Sequence, residues 1–121
     1  MKTRIQVLLI LLTFAACTKI NEDFSGQNID NSLIGKWNKQ YNITDPDNGI
    51  TLLFDTIIFN SDNSGIWVRY RFSELDNSDP FYFYTEDENL YIKFVKNDVQ
   101  NIWTYKIKND TLTIENSQFK R

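Results

Sequence analysis

The chain has no histidine and one cysteine among its 121 residues. Without histidine it lacks the commonest catalytic base and the commonest metal ligand. With a single cysteine it cannot close an intrachain disulfide or build a thiolate metal site. Ser-His-Asp, Cys-His and zinc chemistry are therefore excluded. No Gly-rich phosphate loop is present either. Basic residues are scarce, 13 Lys and Arg against 16 Asp and Glu. That balance speaks against nucleic acid, whose phosphates demand a basic surface. It also supplies no basic patch for anionic lipid headgroups. Long apolar runs are missing, since the longest covers about a dozen residues near Ile5–Leu12 and a spanning helix needs roughly 20. The four glycines and two prolines are too few for a low-complexity or disordered chain.

Carboxylates are what remains for catalysis. Glycoside hydrolysis needs two of them facing each other about 5 to 9.5 Å apart. Almost every acid here falls in an expected turn, where Asp and its neighbours bond the local backbone. Only Asp55 and Glu115 fall within strands. Asp45-x-Asp47-Asn48-Gly49 opens like a calcium loop but lacks the later ligands, including the distal Glu. The expectation is a protein that is not an enzyme and holds no metal and no cofactor.

Aromatic residues are abundant, at 15% of the chain, and from Leu33 onward the hydrophobic period is two. Trp37, Lys39, Tyr41 and Ile43 share one face of a first strand. Asp45-Pro46-Asp47-Asn48-Gly49 is a turn. Leu52 to Phe59 is a strongly apolar second strand, and residues 60–65 turn again. In the third strand Ile66, Val68, Tyr70 and Phe72 alternate with Trp67, Arg69 and Arg71. Ser73 to Pro80 reads as an acidic loop, followed by a short strand from Phe81 to Thr85. Leu90 to Phe94, Trp103 to Lys108 and Thr111 to Glu115 alternate in turn, with Asn109-Asp110 as a two-residue hairpin turn. Phe119 to Arg121 is a final short strand. Parallel strands would need long crossovers, so the fold class is all-β, an antiparallel up-and-down meander of seven to eight strands. Closure into a small barrel removes the bare edges. The expected inward stripe comprises Trp37, Phe59, Val68, Tyr70, Ile92, Phe94, Trp103, Tyr105, Ile107, Leu112 and Ile114.

The N-terminus carries an address. Lys2 and Arg4 precede the short apolar run, which ends in Ala15-Ala16-Cys17, the pattern of a secretory signal. It resembles a bacterial lipoprotein signal, which implies cleavage before Cys17 and acylation of that residue with palmitate-type chains. Several such chains hold a protein durably on a bilayer. The resemblance implies a bacterial cell-envelope protein on the outer membrane, at its periplasmic face or on the cell surface. Residues 1–16 are then the signal, 17–31 a lipidated N-terminus with a flexible polar tether, and 32–121 the folded domain. Loss of Lys2 and Arg4 with the signal moves the net charge from −3 to −5.

Ser32-Leu33-Ile34-Gly35-Lys36-Trp37 sets Gly-x-Trp before the first strand. With the 58–65 turn segment and the 103–114 hairpin, it resembles the small lipocalin-like lipoproteins of bacterial envelopes. That likeness implies a small lipocalin-like barrel in which Trp37, following Gly35, packs at the closed end under an arginine, for which Arg121 is the candidate. It also implies binding of a small apolar or amphipathic molecule.

The candidate recognition residues are Trp67, Arg69, Arg71, Tyr82, Tyr84 and Tyr91. If their faces turn inward they line the mouth of a ligand cup, where guanidinium suits a carboxylate. If they turn outward they form a partner surface, in which tyrosine is enriched. The apolar stripe beside the arginines favours the outward face, with Arg69 and Arg71 solvent-exposed. Two readings of function follow. One is a ligand-binding barrel. The other is an interaction module, such as an inhibitor, an immunity factor or an accessory subunit of an envelope complex, with the barrel filled by its own side chains.

Overall fold

A computed structural model of the chain describes residues 21–47 and 49–121. The expected signal and the lipid-bearing Cys17 lie outside the described residues. Among those residues, no helix is long and apolar enough to cross a membrane.

Eight antiparallel strands follow a short 3-10 helix at Asn31–Leu33: β1 Gly35–Asp45, β2 Gly49–Phe59, β3 Ser64–Arg71, β4 Glu74–Glu86, β5 Asn89–Phe94, β6 Gln100–Lys108, β7 Thr111–Ile114 and β8 Ser117–Lys120. Each pairs with its sequence neighbours, and β8 returns to β1 through Asn38 opposite Lys120, so the sheet is a closed up-and-down barrel. The fold is therefore a small lipocalin-like barrel, and closure removes the unpaired edges that an eight-strand meander would otherwise expose.

Turn chemistry sets the ends of the strands. Asn63, Asp87 and Asn109 take positive φ at their turns, where a short side chain tolerates that region. Phe72 does the same with φ 58°, which a bulky residue adopts only where its surroundings fix it. The chain thus reverses at Phe72-Ser73, and the supposed acidic loop from Ser73 to Pro80 is the first half of a 13-residue strand. Its polar residues pair in register with β3, Asn77 opposite Arg69 and Asp79 opposite Trp67.

The core is aromatic. Trp37, Phe59, Phe81, Phe83 and Phe119 are fully buried with Leu33, Ile57, Leu90, Ile92 and Leu112. Phe59 meets Phe83 edge-on at 4.9 Å and Phe81 at 5.5 Å, geometries that add to plain area burial. Gly65 makes room for this cluster, because a methyl there would overlap the Phe81 ring and the Ile58 carbonyl.

Most of the expected inward stripe does face inward, but Val68 and Tyr70 do not. The inward face of β3 is Gly65, Trp67 and Arg69, and Tyr70 is 37% exposed on the outside. The outer face of this region is itself apolar. Phe54 lies opposite Tyr70 and Ile58 opposite Ile66, while Pro80 lies opposite Ile66 and Leu75 opposite Tyr70.

The expected tether is not free along its whole length. Phe24 is 5% exposed, set edge-on against Tyr84 at 4.8 Å. Asn28 donates to the Thr85 carbonyl at 3.3 Å, and the Asp30 amide donates to the Thr85 hydroxyl at 2.8 Å. Leu33 is fully buried and Ile29 packs on the core. Residues 28–34 therefore plug one end of the barrel, and Phe24 lies on the outer wall beside it. All eight strands, the closure and the plug lie within residues 21–121, so that stretch holds its whole core and folds as one unit.

Candidate functional site

The up-and-down order puts the turns after β2, β4 and β6 at the plugged end. The turns after β1, β3, β5 and β7 surround the other, open end. Tyr105 ties the plug to the wall by donating its hydroxyl to Asp30 at 2.8 Å. Burial, with this bond to a carboxylate, pushes the Tyr105 phenol up to about 12. Burial would also raise Asp30, but hydrogen bonds from Ser32 and Tyr105 outweigh it and hold that carboxyl below its usual value. Trp37 donates from Nε1 to the Leu33 carbonyl at 2.9 Å. The Arg121 guanidinium lies 4.2 Å over the Trp37 ring and donates to the Ser32 carbonyl. Gly35, at φ 129°, passes close under Arg121. These residues close that end of the barrel around Trp37.

The open half is different. A cavity of about 320 Å³ enters the barrel between β3 and β6, lined by Trp67, Arg69, Asn77, Asp79, Phe94 and Trp103. Three rings form its apolar part. Trp67 and Trp103 meet edge-on at 6.1 Å, and Phe94 meets Trp103 at 6.3 Å. Trp67 also crosses the lumen to Phe119 at 5.8 Å. A wider hollow of about 650 Å³ lies between residues 25–31 and 61–63 at the plugged end. Its lining has no aromatic ring and is the open surface of the plug. The cup therefore sets three aromatic rings beside three polar side chains, Arg69, Asn77 and Asp79, the combination of apolar surface and placed polar groups that a small-molecule site uses.

The polar groups converge from four strands, β1 to β4. Asp55 of β2 is 3% exposed, and Arg69 of β3 grips it in a two-pronged contact, Nε to Oδ1 at 2.9 Å and Nη2 to Oδ2 at 3.3 Å. The hydrogen bond to Asp55 raises the Arg69 pKa further, keeping the guanidinium charged. Tyr41 of β1 brings its hydroxyl to 3.4 Å from the same carboxylate. Burial first, then the Asp55 charge, raises the Tyr41 phenol, so it stays protonated and donates. Asp79 pairs with Lys96 at 3.6 Å. Lys39 of β1 donates to Ser117 Oγ at 3.3 Å, with its ammonium 5.2 Å from the Tyr41 ring and 5.8 Å from the Phe119 ring.

The six expected recognition residues divide between two faces. Trp67 and Arg69 line the cup. The expected outward face of Arg69 is overturned, because it faces the lumen against a buried acid, although its side chain stays 41% exposed. Arg71 is at the rim, 57% exposed and 3.6 Å from Asp76. Tyr82, Tyr84 and Tyr91 lie on the outer wall, where Tyr84 and Tyr91 stack at 4.4 Å and 4°. Phe24 covers that stack, so part of the expected tyrosine patch is occupied by the chain itself. Sequence reasoning assigned no binding role to Lys39, Tyr41, Asp55, Asn77 or Asp79. The signal for Asp55 was present, an acid inside an otherwise apolar strand.

No protein-family model matches this chain, and no curated protein sequence does. Among solved structures, the chain is similar to the crystal structure of a lipoprotein, YedD, from Klebsiella pneumoniae subsp. pneumoniae, with a TM-score of 0.57 and 13% identity over 85% of this chain and 82% of that one. At that identity the likeness establishes a shared fold, the small closed barrel.

Proposed function

We propose that this protein is a lipid-anchored envelope barrel that binds a small apolar or amphipathic molecule in its open cup and catalyses no reaction. The observation that carries the reading is the aromatic cavity of about 320 Å³ lined by Trp67, Phe94 and Trp103 with Arg69 on its wall. A barrel filled by its own side chains would leave no such space. The anchor reading rests on the signal-like N-terminus and is supported by the shared fold with a protein described as a lipoprotein. Phe24 is docked seven residues after Cys17, so the chain between them can span at most roughly 25 Å. An acylated Cys17 would hold the plugged end toward the outer membrane and leave the mouth facing away. Native mass spectrometry of the protein released from its own envelope is the test. A small molecule retained by the natural chain and lost in Trp67→Ala supports the reading, and an empty chain that takes up no apolar probe refutes it.

One observation favours a second reading, the interaction module. The large apolar side chains exposed at the open end, Ile43, Ile50, Phe72, Leu75, Val95 and Val99, ring the mouth. An exposed apolar rim marks a contact surface for another protein. In the same measurement, a retained protein in place of a small molecule would support this reading.

A further inference from the structure

The inner wall carries an unequal set of charges. Each carboxylate on it has a cation, Arg69 on Asp55 and Lys96 on Asp79. Lys39 has none. It faces inward from β1, between Trp37 and Tyr41, and is half-buried. Among the described residues no carboxylate lies within ion-pair distance of it. An ammonium has three donors. Here one reaches a hydroxyl at the long distance of 3.3 Å, and two ring faces attract the charge weakly. Lys39 does not line the cup itself but borders it through Phe119, whose ring lies 5.8 Å from the ammonium and 5.8 Å from the Trp67 ring of the lining. Arg69 adds to the same field. Two of its donors are on Asp55, and its side chain is 41% exposed toward the mouth.

We propose that the cup takes amphiphiles whose polar end is an anion, and that Lys39 is the residue that selects them. This rests on the ligand-binding reading above. The apolar body of the ligand lies against Trp67, Phe94 and Trp103. Its carboxylate, sulfonate or phosphate displaces water from Lys39 and shares the exposed edge of Arg69. Charge-assisted hydrogen bonds of this kind are about twice as strong as neutral ones. A neutral amphiphile of equal size leaves the ammonium half-dehydrated without gaining a partner.

Two probes with a common frame separate the outcomes: N-phenylnaphthylamine, which is neutral, and anilinonaphthalene sulfonate, which carries one negative charge. Both are titrated into residues 21–121 and followed by probe fluorescence. The sulfonate is expected to bind about tenfold more tightly than the neutral probe, a difference of about 1.4 kcal/mol, and added salt should narrow the gap. Lys39→Gln should weaken the sulfonate about tenfold and leave the neutral probe within about twofold, and Lys39→Arg should restore the difference. Equal affinities for the two probes in the natural chain overturn the proposal while leaving the cup intact, and that comparison needs no variant to fold. Equal weakening of both probes in Lys39→Gln also overturns it, since a strut between Ser117 and Phe119 would behave that way. Failure of both probes to bind removes the cup reading itself, and the proposal with it.

Discussion

Removing Arg69 should destabilise the barrel more than removing the charge of its partner. The asymmetry comes from exposure. The Asp55 side chain is 4% exposed and that of Arg69 41%. In Arg69→Ala a carboxylate stays in the wall with the Tyr41 hydroxyl, at 3.4 Å, as its remaining donor. Stripping the partner from a fully buried ion costs about 3–5 kcal/mol. Arg69 is not fully buried, so its deletion opens a path for water, and about 2–3 kcal/mol is the reasonable expectation. In Asp55→Asn the group left behind is a guanidinium already close to half in water, and the amide can still accept from Tyr41. That change should cost about 1 kcal/mol, in the range of an ordinary hydrogen bond. The double variant should cost less than the sum of the two, because neither group is then stranded. Urea unfolding of residues 21–121, followed by tryptophan fluorescence, measures all three. If Arg69→Ala costs no more than Asp55→Asn, or falls below about 1 kcal/mol, Asp55 is hydrated in the folded protein and the inward assignment of β3 is wrong.

Two other outcomes follow from the plugged end. The Tyr105 phenol is held up to about 12 by burial and its bond to Asp30, against about 10 in the unfolded chain. A raised pKa favours the protonated form, so its contribution is whole below pH 10 and is lost as pH climbs from about 10 through 12. After discounting for the ring's partial exposure, the loss is about 1–2 kcal/mol, and Tyr105→Phe should flatten that part of the alkaline fall in a stability-against-pH series. Phe24→Ala should free residues 21–26 to protease within the native state while shifting the barrel's stability in urea by less than about 1 kcal/mol, because that segment is held by one ring against Tyr84 while Asn28 and Asp30 keep their bonds to Thr85.

The closed end was the most legible part of the molecule. Gly35, Trp37 and Arg121 stand out in the sequence, and they meet where the family likeness implies. Strand order and the Asn109 turn were equally plain, because short polar turns and period-two alternation survive in a closed meander. Phe24 was not legible. A lone aromatic in a polar stretch has no period, and its partner Tyr84 lies sixty residues away. The β3–β4 turn was hidden for a different reason. Phe72 occupies a positive-φ position with no Gly, Asn or Asp at its centre, so the polar start of β4 read as a loop.

The direction of β3 turned on a conflict between two signals. Alternation made Ile66, Val68, Tyr70 and Phe72 the apolar face, and apolar faces usually point inward. In this barrel β2, β3 and β4 are apolar on both sides, so hydrophobicity alone does not choose between them. Electrostatics does. Asp55 sits among Leu53, Ile57 and Phe59, a stripe that must be the core face of β2. A carboxylate held there needs a cation at hydrogen-bond distance. Both strands beside β2 place a cation opposite Asp55, Lys39 on β1 and Arg69 on β3, and Arg69 is the one that reaches the carboxylate, at 2.9 Å. Once Arg69 is turned inward, period two brings Trp67 and Gly65 with it. Gly65 then lies where the Phe81 ring needs space, and Trp67 falls on the Trp103 and Phe119 rings that bound the cup. The Asp55–Arg69 pair therefore goes with the inward face of β3, and with it the lining of the site.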